Sequence, residues 1–259
     1  MTAMQSFREY IETHAVFTTR TLREACGGEP SISNALSRAT AAGKVEKVRN
    51  GLYVSRTGRF TGMTIDPYRI AATFDDSAIF SYHSALELHG LAHSLSTRIQ
   101  FRSANPRLTF RYAGNTFERY ESERDIMIDT VYAESYGSVQ VTTREKTFID
   151  CMSRMRFCGG AEEVLHSLAG LPYLNLETVE DLLLTYPASV TARAGWYLEM
   201  NAQRWHVESG LLERLSARLP VKANYYFDST ARKGAQSFNA RWKLNFPAPK
   251  DEIDSWMEL

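Results

Sequence analysis

The sequence predicts an α+β protein. An N-terminal winged helix-turn-helix is followed by a larger mixed α/β domain with a small antiparallel sheet and a helical, bundle-like part. Three observations carry this reading. Residues 31–55, SISNALSRATAAGKVEKVRNGLYVS, pass from an amphipathic helix straight into a tight apolar ribbon. Between residues 97 and 132, short runs alternate apolar and polar groups around Asn105-Pro106 and Gly114-Asn115. From Arg144 onward the apolar period changes to about 3.6 residues. The expected domains are residues 1–58 and 59–259, with the polar stretch of residues 56–66, RTGRFTGMTID, as the linker.

In the head, Phe7, Tyr10, Ile11 and His14 repeat at helical spacing and predict a first helix near residues 4–14. A second helix starts at Thr18 or Thr19 and lines one face with Leu22, Ala25 and Cys26. It stops at Gly27-Gly28, with Pro30 just beyond. In the third helix Ser31 is the expected N-cap. Ile32, Ala35, Leu36 and Ala39 gather on one of its faces. The opposite face carries Ser33, Asn34, Ser37 and Arg38, groups able to read base edges in a DNA major groove.

Gly43 ends that helix, and Val45 to Val48 and Leu52 to Ser55 then flank Asn50-Gly51. Asn-Gly suits both left-handed positions of a type I′ hairpin turn. Lys44, Lys47 and Arg49 lie on or beside the hairpin, as on a wing. The candidate DNA-binding set is Thr18, Thr19, Ser31, Ser33, Asn34, Ser37, Arg38, Lys44, Lys47, Arg49 and Asn50. The competing reading is a small helical cap with a decorative hairpin. Against it, three helices and then a hairpin within about 55 residues is the order of a winged helix.

The body opens with a helix from Pro67 through Ile70, Ala71 and Phe74. A short strand at Ala78-Ile79-Phe80 and a helix from Ser81 to about His89, closed by Gly90, come next. Strands are expected at 97–103, 108–112, 116–121 and 126–132. Helices follow around Phe148, Ile149 and Met152, around Val164, Leu165 and Leu168, and over Leu176–Tyr186, Ala192–Arg204 and Ser209–Arg218. Two last strands are expected, near Tyr225-Tyr226-Phe227 and Phe238–Phe246.

Composition narrows the classes. At 44% hydrophobic and 12% aromatic residues the chain is unlike a disordered one. Three cysteines without framework spacing favour a reducing, cytoplasmic setting over secretion. The N-terminus has no apolar h-region and no stretch approaches 18 apolar residues, so neither a signal peptide nor a membrane span is expected. The overall charge of zero hides an asymmetry. Residues 1–60 hold 9 Lys+Arg against 5 Asp+Glu, and the remainder 21 against 25. A basic head on an acidic body suits a nucleic-acid-binding module with a separate partner domain.

No catalytic constellation stands out. Asp75-Asp76 with Glu87 lacks a third ligand at fixed offset, so a water-exposed helix end is the expected account. His83, His89 and His93 invite a zinc reading, but Gly90 interrupts the helix that would aim the last two together. Cys151 and Cys158 are too widely spaced for a zinc knuckle, and Cys151 is expected in a core. Gly159-Gly160 reads as a helix start, since neither a phosphate-loop Lys-Ser/Thr nor an Asp-x-Asp follows. No metal or cofactor is implied. In the tail, Tyr225, Tyr226, Arg232, Lys233, Arg241 and Lys243 interleave aromatics with cations. They form either a partner or nucleic-acid surface or a sheet with solvated cations.

Three stretches resemble the AbiEi-type antitoxins, the transcriptional-regulator half of type IV bacterial toxin–antitoxin systems first noticed in phage abortive infection. They are the head ending in Gly51-Leu52-Tyr53-Val54, the Ser81-Tyr82-His83-Ser84-Ala85-Leu86 to Gly90-Leu91 segment, and Arg144–Leu165 (REKTFIDCMSRMRFCGGAEEVL) with Ala192–Glu199 (ARAGWYLE). The resemblance covers residues 1 to about 200; the tail from Val221 is only loosely similar. It implies a winged-helix repressor of its own promoter whose C-terminal domain counters a nucleotidyltransferase-like toxin. On that reading Ser33, Asn34, Ser37 and Arg38 map to the recognition helix and Lys44, Lys47 and Arg49 to the wing. The expected partners are double-stranded DNA with inverted repeats, met by a monomer or weak dimer, and such a toxin. The alternatives are a stand-alone winged-helix regulator without a toxin, and a DNA-targeted nuclease or nucleotidyltransferase.

Overall fold

The computed structural model describes residues 5–27, 30–122 and 127–258, the side chains of Pro30 and Ser31 excepted. In chain order the head contains α1 (Phe7–Thr13), β1 (Val16–Thr18), α2 (Thr19–Cys26), α3 (Pro30–Ala41), β2 (Val45–Arg49) and β3 (Leu52–Ser55). The middle contains α4 (Pro67–Phe74), β4 (Ile79–Phe80), α5 (His83–Leu88), β5 (Arg98–Ser103), β6 (Leu108–Tyr112), β7 (Asn115–Glu121), β8 (Ile128–Ala133) and β9 (Gly137–Thr142). Then come α6 (Arg144–Ser153), α7 (Ala161–Ala169), α8 (Leu176–Leu184), α9 (Ala188–Met200), α10 (Ala202–Trp205) and α11 (Ser209–Ala217). The tail holds β10 (Tyr225–Tyr226), α12 (Ser229–Lys233), β11 (Ser237–Asn239), β12 (Leu244–Phe246) and α13 (Lys250–Ser255). The protein is thus a mixed α/β chain with small sheets and a helical part. No helix among the described residues is long and apolar enough to cross a membrane.

The chain divides into two compact units. One comprises Met1–Ala78, Ser103–Glu121 and Tyr132–Val139, the other Ile79–Arg102, Ser122–Val131 and Gln140–Leu259. The first unit therefore reaches past the boundary expected at residue 58.

In the first unit each helix start has a local chemical cause. Ser6 caps α1 by accepting from the Glu9 amide at 3.3 Å. Thr18 and Thr21 close a reciprocal capping box on α2. Asp66 caps α4 ahead of Pro67. The expectation for α3 needs correcting: the helix begins at Pro30, so Ser31 lies inside it rather than at its N-cap. The fixed φ of proline suits a first helical position. The side chain of Ser31 lies outside the described residues.

Ile32, Leu36 and Ala39 of α3 join Tyr10, Ile11, Phe17, Leu22 and Val45 in one buried cluster. Each fully buried large aliphatic contributes about 1.5–3 kcal/mol. Here β1, a three-residue strand the alternation did not signal, pairs antiparallel with β3, and β3 with β2.

The hairpin turn differs from the type I′ expected. Gly51 has φ +80°, but Asn50 is absent from the positive-φ residues, and the β2–β3 register slips between Lys47 and Arg49. A bulge adds one residue, and a bulged hairpin needs only one left-handed position. Paired left-handed residues occur instead at Ala113-Gly114 (φ +47° and +81°), which join β6 to β7 in a two-residue turn.

Asp75, expected at a water-exposed helix end, is 3% exposed. Its carboxylate accepts from Ser103 Oγ at 2.7 Å, Ser77 Oγ at 2.8 Å, Arg119 Nη1 at 2.9 Å and Asn105 Nδ2 at 3.1 Å. Burial alone would raise its pKa, but these donors outweigh it and hold the group below its ordinary value. The depressed pKa stabilises the fold above the unfolded value of 3.8, and that contribution is lost as pH falls through the folded pKa. Thermal melts of Asp75→Asn should therefore lie below the unaltered protein at pH 7 and approach it near pH 3. A gap of equal size at both pH values would contradict this.

In the second unit β4 lies between β5, to which it is antiparallel, and β9, to which it is parallel, and β8 lies beside β9. Helix α6 packs on α8 and α9, and α9 on α11. Cys151 of α6 is buried, as its apolar neighbours suggest. The tail forms three strands rather than two, in the order β10-β12-β11.

Candidate nucleic-acid interface

Helix α3 buries Ile32, Leu36 and Ala39 and turns Ser33, Asn34, Ser37 and Arg38 to solvent. Its 3.6-residue period separates the two sets. Arg38 Nε makes only a long 3.4 Å contact to the Asn34 carbonyl. At the C-terminal end, Gly43 takes φ +68° and the Lys44 amide donates to the Ala39 carbonyl at 2.9 Å, which stops the helix and starts β2.

The polar ridge of α3 has two flanks. On one, Ser33 and Ser37 share an open groove of about 600 Å³ with Thr19 and Arg23 of α2 and with Lys47 and Tyr53 of the hairpin. On the other, Arg38 and Lys44 border a hollow with Arg8 of α1. Cations thus lie on both sides of a row of short hydrogen-bonding groups, a spacing that offers phosphate contacts beside base contacts. Asn50 is exposed at the turn, and Lys44 and Lys47 are exposed as well.

Two members of the expected set do not join this surface. The Thr18 hydroxyl is engaged in the α2 capping box, accepting from the Thr21 amide at 3.1 Å. Arg49 packs inward instead. Its guanidinium stacks on Phe74 at 4.6 Å and on Phe110 at 5.1 Å. Burial, then the neighbouring Arg119, lowers its pKa. Guanidinium is weakly hydrated and has a flat face, so an aromatic pair can hold it where an ammonium would stay in water. Conversely, Arg23 belongs to the groove and was not anticipated. The signal was present, because Thr19 and Arg23 stand one turn apart on α2.

No protein-family model matches this chain, and neither does any curated protein.

The tail cluster separates into different roles. Tyr225, Tyr226 and Arg232 line one cleft of the second unit. Lys233 is exposed at the end of α12. Arg241 pairs with Glu199, and Lys243 donates from Nζ to the Pro220 carbonyl at 2.7 Å and the Leu219 carbonyl at 3.1 Å. Both side chains are thus engaged by partners within the second unit.

The histidines are also engaged. His83 meets Glu87 at 3.0 Å through Nδ1 and Glu163 at 3.2 Å through Nε2. Burial would lower its pKa, but the two carboxylates raise it overall. His89 Nε2 lies 2.8 Å from the Thr142 carbonyl, and His93 stacks on His166 at 4.4 Å. Among the described residues no group of three or more His, Cys, Asp or Glu converges as a metal site would require. Gly160, with φ +105°, is the N-cap of α7, the helix start that the glycine pair suggested.

Proposed function

We propose that this protein is a non-enzymatic, DNA-binding transcriptional repressor that acts as the antitoxin of a cytoplasmic toxin–antitoxin pair. It represses its own operon and counters a nucleotidyltransferase-like toxin. The observation that carries the DNA reading is α3, apolar on its buried face and lined with Ser33, Asn34, Ser37 and Arg38 on its exposed face. The succession of α1, α2, α3 and a β2–β3 hairpin with β1 beside it supports a winged helix. Arg23 and Lys47 supply phosphate contacts on one flank and Arg38 and Lys44 on the other. Two copies pair on an inverted repeat, so that dyad-related half-sites each receive one α3. The antitoxin part rests on the resemblance over residues 1 to about 200, and growth rescue on co-expression with the neighbouring toxin gene tests it.

Fluorescence anisotropy with a duplex taken from upstream of the gene tests the DNA part. Arg38→Ala removes a base-reading group and should cost about 1–3 kcal/mol, roughly 5- to 150-fold, on that duplex and much less on a scrambled one. The pair Arg23→Ala and Lys47→Ala should weaken both duplexes alike and flatten the salt dependence by about two charges. Arg49→Ala should lower the melting temperature while leaving the salt slope unchanged. Unchanged affinity in both Arg38→Ala and the Arg23/Lys47 pair would overturn the assignment.

A further inference from the structure

The second unit contains a cleft of about 820 Å³, a volume in the range of small-molecule sites. Five arginines contribute to its wall: Arg98, Arg154, Arg156, Arg193 and Arg232. The single carboxylate among its lining residues is Asp228. That carboxylate is already engaged, capping α12 by accepting from the Ala231 amide at 2.8 Å.

Arg154, Arg156 and Arg232 are held without being neutralised. Arg154 and Arg156 lie over the Phe157 ring at 5.8 and 4.8 Å, and Arg232 over Tyr226 at 5.7 Å. Aromatic faces orient a guanidinium but leave its N–H fork unpaired. Arg193 donates to the Tyr226 carbonyl through Nε at 3.0 Å and Nη2 at 2.9 Å, and to the Met152 carbonyl through Nη1 at 2.8 Å. These bonds fix the cleft wall and bring in no negative charge. Elsewhere in this unit arginines at the surface find carboxylates, Arg214 on Glu180 at 2.7 Å and Arg241 on Glu199. Among the described residues Arg154, Arg156 and Arg232 have no such partner. Gathering like charges opposes folding, and a bound polyanion removes that cost.

Two further features narrow the ligand. The cleft is far larger than one phosphate requires, and half-buried Tyr225 and Tyr226 offer aromatic faces beside the guanidiniums. Gly159 and Gly160 line the same cleft, and Gly160 caps the nine-residue α7 with no side-chain acceptor. We propose that this cleft binds a nucleoside 5′-polyphosphate, with the phosphates on Arg154, Arg156 and Arg232 and the base against the tyrosines. The ligand is either a free nucleotide or the triphosphorylated 5′ end of an RNA. This site is separate from the α3 surface and does not depend on it.

Isothermal titration of the full chain with ATP, with inorganic triphosphate and with a short 5′-triphosphorylated RNA tests the proposal. Saturable binding of ATP is expected, with Arg156→Ala and Arg232→Ala each weakening it roughly tenfold or more. Lys233→Ala, one residue along α12 and not lining the cleft, should leave it unchanged. Arg156 and Arg232 are exposed and unpaired, so both variants should melt like the unaltered protein and still bind the upstream duplex. Tighter binding of the RNA than of ATP would support the site and identify the RNA end as its source. Equal affinity for ATP and inorganic triphosphate would overturn the nucleotide assignment. Absence of saturable binding, or an equal loss in Lys233→Ala, would overturn the site.

Discussion

Asp150→Ala is expected to cost about 3–5 kcal/mol of stability, because it leaves two buried cations facing each other without their shared anion. Asp150 is 2% exposed in α6 and accepts from Arg102 Nη2 at 3.0 Å and from Lys146 Nζ one turn earlier. Arg102 and Lys146 are themselves only 2% and 3% exposed. Arg102 is further held by the Tyr82 hydroxyl at 2.9 Å and lies 4.8 Å over the same ring. For Lys146, burial pulls the pKa down, but Asp150 reverses that and leaves it raised. Without Asp150 that support is lost. Urea unfolding followed by circular dichroism checks this. The midpoint should fall steeply, or folded protein should fail to accumulate. Replacing all three charges together (Arg102→Met, Lys146→Met, Asp150→Leu) should recover much of the loss, since apolar groups of similar size leave no unpaired charge. A loss under about 1 kcal/mol in Asp150→Ala would contradict this account of the cluster.

Gly195→Ala should destabilise the second unit by roughly 2 kcal/mol or more, although alanine is the better helix former by about 1 kcal/mol. A Cβ on Gly195 would stand 2.1 Å from Trp242 Cζ3 and 2.3 Å from Cη2. The indole cannot retreat cheaply. It is fully buried, and its Nε1 donates at 2.6 Å to Glu199 on the next turn of the same helix. Differential scanning calorimetry of Gly195→Ala should show a lower melting temperature. Adding Trp242→Phe to Gly195→Ala should cost less than the two changes made separately, as expected for residues in direct contact. A melting temperature at or above that of the unaltered protein would refute the close approach.

These residues show which parts of the molecule were legible in the sequence. Helix α3 was, because Ile32, Leu36 and Ala39 repeat at one helical period and their environment is set within the head. The start of α4 at Pro67 was equally readable, since its fixed φ suits a first helical position. Arg49 was not. It looked like a wing cation, and its orientation is decided by Phe74 and Phe110, far away in sequence. Asp75 was misread for the same reason, as three of its donors come from Ser103, Asn105 and Arg119. Strand β1 escaped because three residues are too few to show alternation. The tail cluster was noticed as a group, yet only Tyr225, Tyr226 and Arg232 line the cleft, whose remaining cations come from distant segments. Charge counted along the chain cannot show which arginines meet, because the fold gathers them.

On the proposed function, the α3 face reads DNA sequence while the flanking cations grip phosphate. The most direct measurement is the affinity of the full chain for its upstream duplex and for a scrambled duplex, across roughly 50 to 200 mM salt. Tighter binding of the upstream duplex is expected at every salt concentration, with both affinities falling steeply and in parallel on a log–log plot. Substituting alanine together at Ser33, Asn34, Ser37 and Arg38 should erase the preference and leave most of the salt dependence. Equal affinity of the unaltered protein for the two duplexes, or binding that does not respond to salt, would contradict the proposed function.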